Sequence, residues 1–320
     1  MPRYLVTGCA GFIGSTLAES LLAEGAEVVG VDAFTDYYPR ARKEAQVAAA
    51  REHPAFELVE HDLGGNALPD SSLDGLDGIF HLAARPGVRA SWGAAFGAYL
   101  NDNLAATHAI VEAAARRGVR MVFASSSSIY GDALAYPTAE DTRPAPISPY
   151  GVTKLACEHL IAAHAKDFGL ECTVLRYFTV YGPRQRPDMA FQRIVEALAS
   201  GREFEVYGDG RQSRDFTYVA DAVAATTAAM NSGAAGRTYN VGGGSEATLR
   251  DVVATLEELS GRSLAIRYGD RAAGDVRRTL ADTGRLRGEL GWEPRFDLRA
   301  GLAVQLDAAG TLASSHPSRA

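Results

Sequence analysis

Cysteine, long apolar runs and clustered positive charge are all scarce in this chain, and each scarcity excludes something. Only three cysteines occur in 320 residues, Cys9, Cys157 and Cys172. They cannot all pair and show no CxxC or Cys/His ligand spacing, so the sequence predicts no disulfide framework, no metal site and a reducing, cytoplasmic setting. No apolar stretch reaches the roughly 18 residues of a membrane span. The opening MPRYLVTG runs straight into strand-like sequence, without the n-region and cleavage site of an export signal. With 32 Lys and Arg against 39 Asp and Glu, the formal net charge is −7 and no basic run stands out. Such a chain has no electrostatic footprint for nucleic acid or an anionic membrane, which leaves small molecules as the expected partners. Long repeats and low-complexity blocks are missing as well. The length suits a full α/β enzyme or two lobes sharing one cleft.

What is present is an alternation. Short apolar runs (YLVTG, AEVVGVD, FELVEHD, GIFHLAA, RMVFASS, CTVLRYF) are separated by helical stretches at Phe12 to Glu24, Ala41 to Glu52, Leu104 to Arg117 and Pro149 to Phe168. This pattern predicts an α/β fold, a doubly wound parallel sheet with helices on both faces. After Tyr181 the rhythm breaks into short segments around GPRQRP, YGDGRQ, VGGGSE and GDRAAGD, which predict a smaller lobe interleaved with the sheet.

Directly after the first strand comes TGCAGFIGSTLAESLL. Gly8, Gly11 and Gly14 let the backbone turn tightly and approach a pyrophosphate, while the unpaired N–H groups of Phe12, Ile13 and their neighbours face it from the helix N-terminus. The second strand ends at Asp32, where a carboxylate accepts the adenosine ribose hydroxyls and repels a 2′-phosphate, so NAD is expected rather than NADP. Asp62 and Leu63, at the end of the third strand, are candidates for the adenine edge. On this reading residues 1–180 and 213–244 form a Rossmann-type NAD-binding domain, 181–212 and 245–308 the substrate domain, and 309–320 a flexible tail.

SPYGVTKLACEHLIAAHAKDFG opens with Ser148 as N-cap and Pro149 at the first helical position. Tyr150 and Lys154, four apart, project from one face. An ammonium near a phenol, helped by the positive nicotinamide, is expected to bring its pKa from about 10 toward neutrality and make Tyr150 a general base. Upstream stands FASSSSIYG, Phe123 to Gly131, with four consecutive serines.

The TGxxGxxG spacing, HLAA at 81 to 84 and the later YxxxK together resemble the extended short-chain dehydrogenase/reductase family, from Tyr4 to about Pro294. Its members are mostly nucleotide-sugar epimerases, dehydratases and decarboxylases. The resemblance implies cofactor contacts from Leu82, Ala83, Ala84 and Asn103, and makes Ser126 the hydroxyl partner of Tyr150. Family dehydratases carry an Asp-Glu pair at the next two positions and the sugar-acid decarboxylases a glutamate at the second, where this chain has Ser127 and Ser128. It also has Thr179 where many members have asparagine. FTVYGPxxRPDMA is similar to the UDP-glucuronate 4-epimerases, which points to Arg186 for the sugar carboxylate. By the same resemblance Arg214 and Arg271 are expected at the diphosphate, Asp275 at the ribose and Arg89 beside the sugar. A homodimer pairing the helices at 104 to 117 and 149 to 168 is expected too. The implied reaction is C4 epimerisation of a UDP-sugar acid with bound NAD. A UDP-glucose 4-epimerase, a UDP-glucuronate decarboxylase and a non-catalytic NAD-binding regulator stay open.

Overall fold

The computed structural model describes residues 1–314. Strand and helix alternate through its first half: β1 (Arg3–Thr7), α1 (Phe12–Ala23), β2 (Glu27–Asp32), α2 (Arg40–Arg51), β3 (Phe56–Glu60), β4 (Gly78–His81), α3 (Phe96–Tyr99), α4 (Ala106–Arg117), β5 (Met121–Ser126), α5 (Pro149–Phe168) and β6 (Cys172–Tyr177). Shorter pieces follow: β7 (Thr179–Tyr181), α6 (Ala190–Ser200), β8 (Phe204–Tyr207), β9 (Ser213–Tyr218), α7 (Val219–Ser232), β10 (Thr238–Val241), β11 (Ser245–Thr248), α8 (Leu249–Ser260), β12 (Ile266–Gly269), α9 (Gly284–Leu290) and α10 (Leu298–Ser314).

Every residue of β4, β5 and β6 is buried, because their strands have helices on both sides and need no polar face. The main sheet has the order β10-β6-β5-β4-β1-β2-β3, and its pairings are all parallel. The chain winds outward from β1 to β3, then restarts at β4 on the other side of β1. The loops after β1 and β4 therefore diverge and leave a crevice at their carboxyl ends, the place where such sheets bind ligands.

Two apolar clusters cover the two faces. One, under α4 and α5, includes Ile79, Ile110, Met121, Phe123 and Ile161. The other runs from Val6 and Leu17 on α1 through Tyr181 and Phe191 to Phe204, Val252 and Leu302, so the second lobe shares a core with the sheet. The domain boundary expected at 213 falls at the start of β9, which pairs with β7 and β11 rather than with the main sheet. α7 and β10 then return the chain to that sheet.

Two boundaries differ from the sequence reading. The helix expected from Leu104 already begins at Phe96 and passes through a π-helical turn, Leu100–Ala105, into α4. GAYLNDN has too many weak helix formers to announce that start. The tail expected from 309 is corrected too: α10 continues to Ser314, in keeping with an alanine-rich sequence, and 315–320 lie outside the described residues. Among the described residues no helix is long and apolar enough to cross a membrane, and Cys9, Cys157 and Cys172 are buried free thiols.

Candidate active site

The crevice holds a cavity of about 380 Å³. Its floor is the glycine loop. A Cβ at Gly14 would stand 2.1 Å from the Gly8 carbonyl oxygen, and one at Gly8, whose φ is +73°, would stand 2.9 Å from the Ala83 nitrogen. Both glycines are thus required by close backbone approach. The cap of α1 is Gly11, which has no side chain to occupy the first-turn N–H groups of Phe12, Ile13 and Gly14. Asp32 accepts the Ala10 N–H at 3.1 Å and the Phe34 N–H at 2.8 Å, which fixes its carboxylate against the cavity with lone pairs to spare. Burial raises its pKa, and the Lys43 cation and those two N–H groups oppose the rise. Asp62, Leu63, Leu82, Ala83 and Ala84 line the same wall.

His81 explains the conformation of the HLAA segment. Thr7 Oγ1 accepts the N–H groups of Leu82 and Ala83, both at 3.1 Å, so its own hydrogen goes to His81 Nδ1 at 2.7 Å. Donor counting then leaves the imidazole hydrogen on Nε2, donated to Thr107 Oγ1 at 3.1 Å. Complete burial, with a smaller contribution from the Lys154 charge, lowers the imidazole pKa to about 3 and keeps it neutral. His81 is a fastener for the backbone that faces the cavity.

Asn103 is buried and bonded to its neighbours. Its Oδ1 accepts the Arg85 N–H at 2.7 Å, while its Nδ2 donates to the Arg85 carbonyl at 3.2 Å and to Thr153 Oγ1 at 2.9 Å. The π turn places it behind the loop, where it ties residue 85 to α5 and does not line the cavity.

α5 starts as its sequence implies, with Ser148 Oγ accepting the Gly151 N–H at 3.1 Å. Tyr150 and Lys154 both reach the cavity from its first turns. Lys154 is 3% exposed and donates to the Ala124 carbonyl at 2.8 Å; burial brings its pKa down to about 8. The Tyr150 phenol differs from expectation: burial pushes its pKa up, and the groups that pull it back are the Ser126 hydroxyl and the Arg186 cation, not Lys154.

The serines divide their work. Ser125 is bonded to Glu158, whose carboxylate takes Arg176 in a buried two-pronged pair at 3.1 and 2.7 Å. Ser126 accepts the Ser128 N–H at 3.1 Å and partners Tyr150. Ser127 and Ser128 are half-buried and face the cavity with Thr179.

Arg186 enters the same cavity, with Nε and one Nη each 3.0 Å from an oxygen of Asp188. Its other Nη has no protein partner among the described residues. The Tyr37 hydroxyl donates to Asp188 at 3.3 Å. Farther out, Arg89 Nη2 meets the Asp275 carboxylate at 2.5 Å and Arg271 donates to the Asp275 carbonyl at 2.6 Å. Burial lowers the pKa of Arg214, and Asp275 counters the shift. These four residues form a charged group beyond the cavity wall rather than part of it. Sequence reasoning missed Tyr37, Lys43 and Arg85, which line the cavity, and Asp188 and Glu158, which orient residues that do. Carboxylates and tyrosines on helices and loops carry no spacing signal of their own.

A switch-point crevice with this glycine loop, a strand-end aspartate and a serine, tyrosine and lysine converging on one cavity define a nicotinamide-dependent enzyme of the short-chain dehydrogenase/reductase kind. Residues 4–242 match the NAD dependent epimerase/dehydratase family, and the chain belongs to it. It is 35% identical over 311 residues to UDP-glucuronate 4-epimerase of Thermodesulfobacterium geofontis, covering 94% of each chain. A Bacillus subtilis protein described as an uncharacterized UDP-glucose epimerase is 40% identical over 307 residues, covering 95% of this chain and 96% of the other. Among solved structures, UDP-glucuronic acid 4-epimerase from Bacillus cereus, in complex with UDP-glucuronic acid and NAD, superimposes with a TM-score of 0.93 at 37% identity, over 97% of this chain and 99% of that one. The enzyme is an NAD-dependent UDP-sugar 4-epimerase, an isomerase. The glycine loop, free helix N-terminus and Asp32 fit the cofactor.

Proposed function

We propose that the protein interconverts UDP-glucuronate and UDP-galacturonate. The observation that carries this reading is the convergence of Ser127, Ser128, Thr179 and Arg186 on the cavity that holds Ser126 and Tyr150. Bound NAD supplies the acceptor and returning donor of a hydride, and a positive ring that favours the Tyr150 phenolate. Tyr150, sharing the proton with Ser126, deprotonates the C4 hydroxyl and later returns that proton. Lys154, anchored on Ala124, is the cation beside them. The 4-keto sugar is a β-keto acid, which loses CO₂ when its carboxylate bond aligns with the carbonyl π system. Three neutral hydroxyls and the open Nη of Arg186 hold the carboxylate away from that alignment, and no carboxyl group at 127 or 128 is there to protonate a carbanion. Arg214 and Arg271 take the nucleotide diphosphate, Asp275 the ribose, and Arg89 stands beside the sugar. Residues 1–180 with 213–244 hold NAD, and 181–212 with 245–308 hold the nucleotide sugar.

A second reading, epimerisation of UDP-glucose, is favoured by one feature: Asp188 already occupies one edge of the Arg186 fork. Chromatography of products from a UDP-sugar panel decides. UDP-glucuronate is expected to react best, without a pentose product, and Arg186→Ala to lower kcat/KM for it by about 2–4 kcal/mol, with much less effect on UDP-glucose. A wild-type preference for UDP-glucose, or a UDP-pentose as main product, would falsify the substrate assignment.

We also propose a cytoplasmic homodimer formed through α4 and α5. Leu100 and Val152 support it, being 41% and 47% exposed beside and on those helices. A monomeric mass by light scattering at micromolar concentration contradicts it.

A further inference from the structure

α4 and α5 also bring together three side chains that the proposed reaction does not use. His108 and Glu112 stand one turn apart on α4, and His164 faces them from α5. We propose that these three residues bind a divalent transition-metal ion, with zinc the best match to two imidazoles and a carboxylate.

The spacings are close to those of a bound metal ion's ligands. Glu112 Oε1 lies 2.9 Å from His164 Nε2 and 3.7 Å from His108 Nε2. Ligand atoms about 2.0–2.1 Å from a tetrahedral zinc are about 3.4 Å from one another, so the two spacings straddle that edge length. All three ligand atoms lie within 4.8 Å of one another, and His108, its side chain 56% exposed, can rotate to close the remaining edge. The three come from one chain, so the site needs no second copy.

The second observation is the orientation of His164. Its Nδ1 faces the Leu160 carbonyl at 2.9 Å. A carbonyl only accepts, so Nδ1 carries a hydrogen and Nε2 is the atom presented to Glu112. Metal-binding histidines are held by this same outer hydrogen bond, which fixes the ring and its tautomer. The ion takes the place of the proton that Nε2 shares with Glu112. The other oxygen of Glu112 is 3.8 Å from Arg116, which leaves Oε1 for the metal. Two neutral imidazoles and one carboxylate leave a fourth position for water. The ion would clip α4 to α5, the helix that carries Tyr150 and Lys154, without touching the reaction.

The test is calorimetric titration of the full chain, NAD-loaded, with zinc chloride, repeated on His108→Ala and Glu112→Gln. One zinc per chain is expected, with affinity about tenfold or more weaker in each variant and epimerase activity unchanged in both. Cobalt(II) should give the visible absorption of a tetrahedral ion in the wild type and lose it in His108→Ala. Because His108 and Glu112 are exposed or half-exposed, both variants are expected to fold. The absence of saturable zinc binding, or binding by His108→Ala as tight as the wild type's, overturns the site.

Discussion

The two ends of the cleft are made of different materials. At the cofactor end the surfaces are backbone, and what orients them is neutral: Gly8 and Gly14 in contact, Thr7 and His81 fastening Leu82 and Ala83, Asp32 held by two N–H groups. At the end proposed for the sugar and nucleotide the groups are long cations already engaged: Arg186 and Arg89 by the carboxylates of Asp188 and Asp275, Arg271 by the Asp275 carbonyl. A backbone site is set when the chain folds and does not rearrange for its ligand. A site of paired cations is set by partner carboxylates, and a substrate anion competes with them or takes only the free edge. The cofactor end is therefore expected to be intolerant of small changes and the nucleotide end to be adjustable.

Four changes probe that contrast, taken from the largest effect. Tyr150→Phe removes the proposed proton carrier where the two ends meet and should lower kcat by about 10²-fold or more with the fold intact. Activity within a factor of two of wild type rules out the assigned base.

The next effect is on stability. Burial lowers Lys154 from its ordinary 10.5 to about 8. Below pH 8 both folded and unfolded chains carry the proton; between about 8 and 10.5 only the unfolded chain does, so rising pH favours the folded state through this group. Lys154→Met should lack this increment, which reaches about 3 kcal/mol. Urea unfolding of both proteins across that range measures it, and parallel stability curves refute it.

Gly14→Ala pushes a methyl group into the Gly8 carbonyl and is expected to destabilise the fold by about 1–3 kcal/mol while weakening NAD binding. Unchanged NAD affinity would show that the loop can yield. The smallest effect belongs to Asp275→Asn. An ion pair with Arg89 at 44% exposure is worth about 1 kcal/mol or less, so KM for the UDP-sugar should rise no more than about fivefold and NAD affinity should not move. A loss of a hundredfold, or a change at the cofactor, would erase the distinction between the ends.

The same difference in material separates what could be read early from what could not. TGCAGFIG, Asp32 and the Tyr150/Lys154 pair were legible because each works through backbone geometry or within one helix, where spacing along the chain is spacing in space. The bonds of Asn103 to residue 85 and Thr153 were not legible because they depend on the π turn that orients it. The phenol of Tyr150 was expected to fall in pKa because a neighbouring charge shows in the sequence and the depth of burial does not. Glu158 and the group of His108, Glu112 and His164 went unread because partners lie on other elements, and Asp188, two residues from Arg186, because a loop carboxylate has no spacing signal of its own.

By itself, then, the sequence determined the order of strands and helices, the glycine loop, the start of α5 and the shared face of Tyr150 and Lys154, all consequences of local propensity and short-range spacing. Tertiary structure alone decided that Ser125 anchors on Glu158, that Asp188 covers one edge of Arg186, and that two helices bring His108, Glu112 and His164 within reach of one another. Those outcomes depend on register between strands, on the packing of α4 against α5 and on burial. None of these is a property of any short segment of chain.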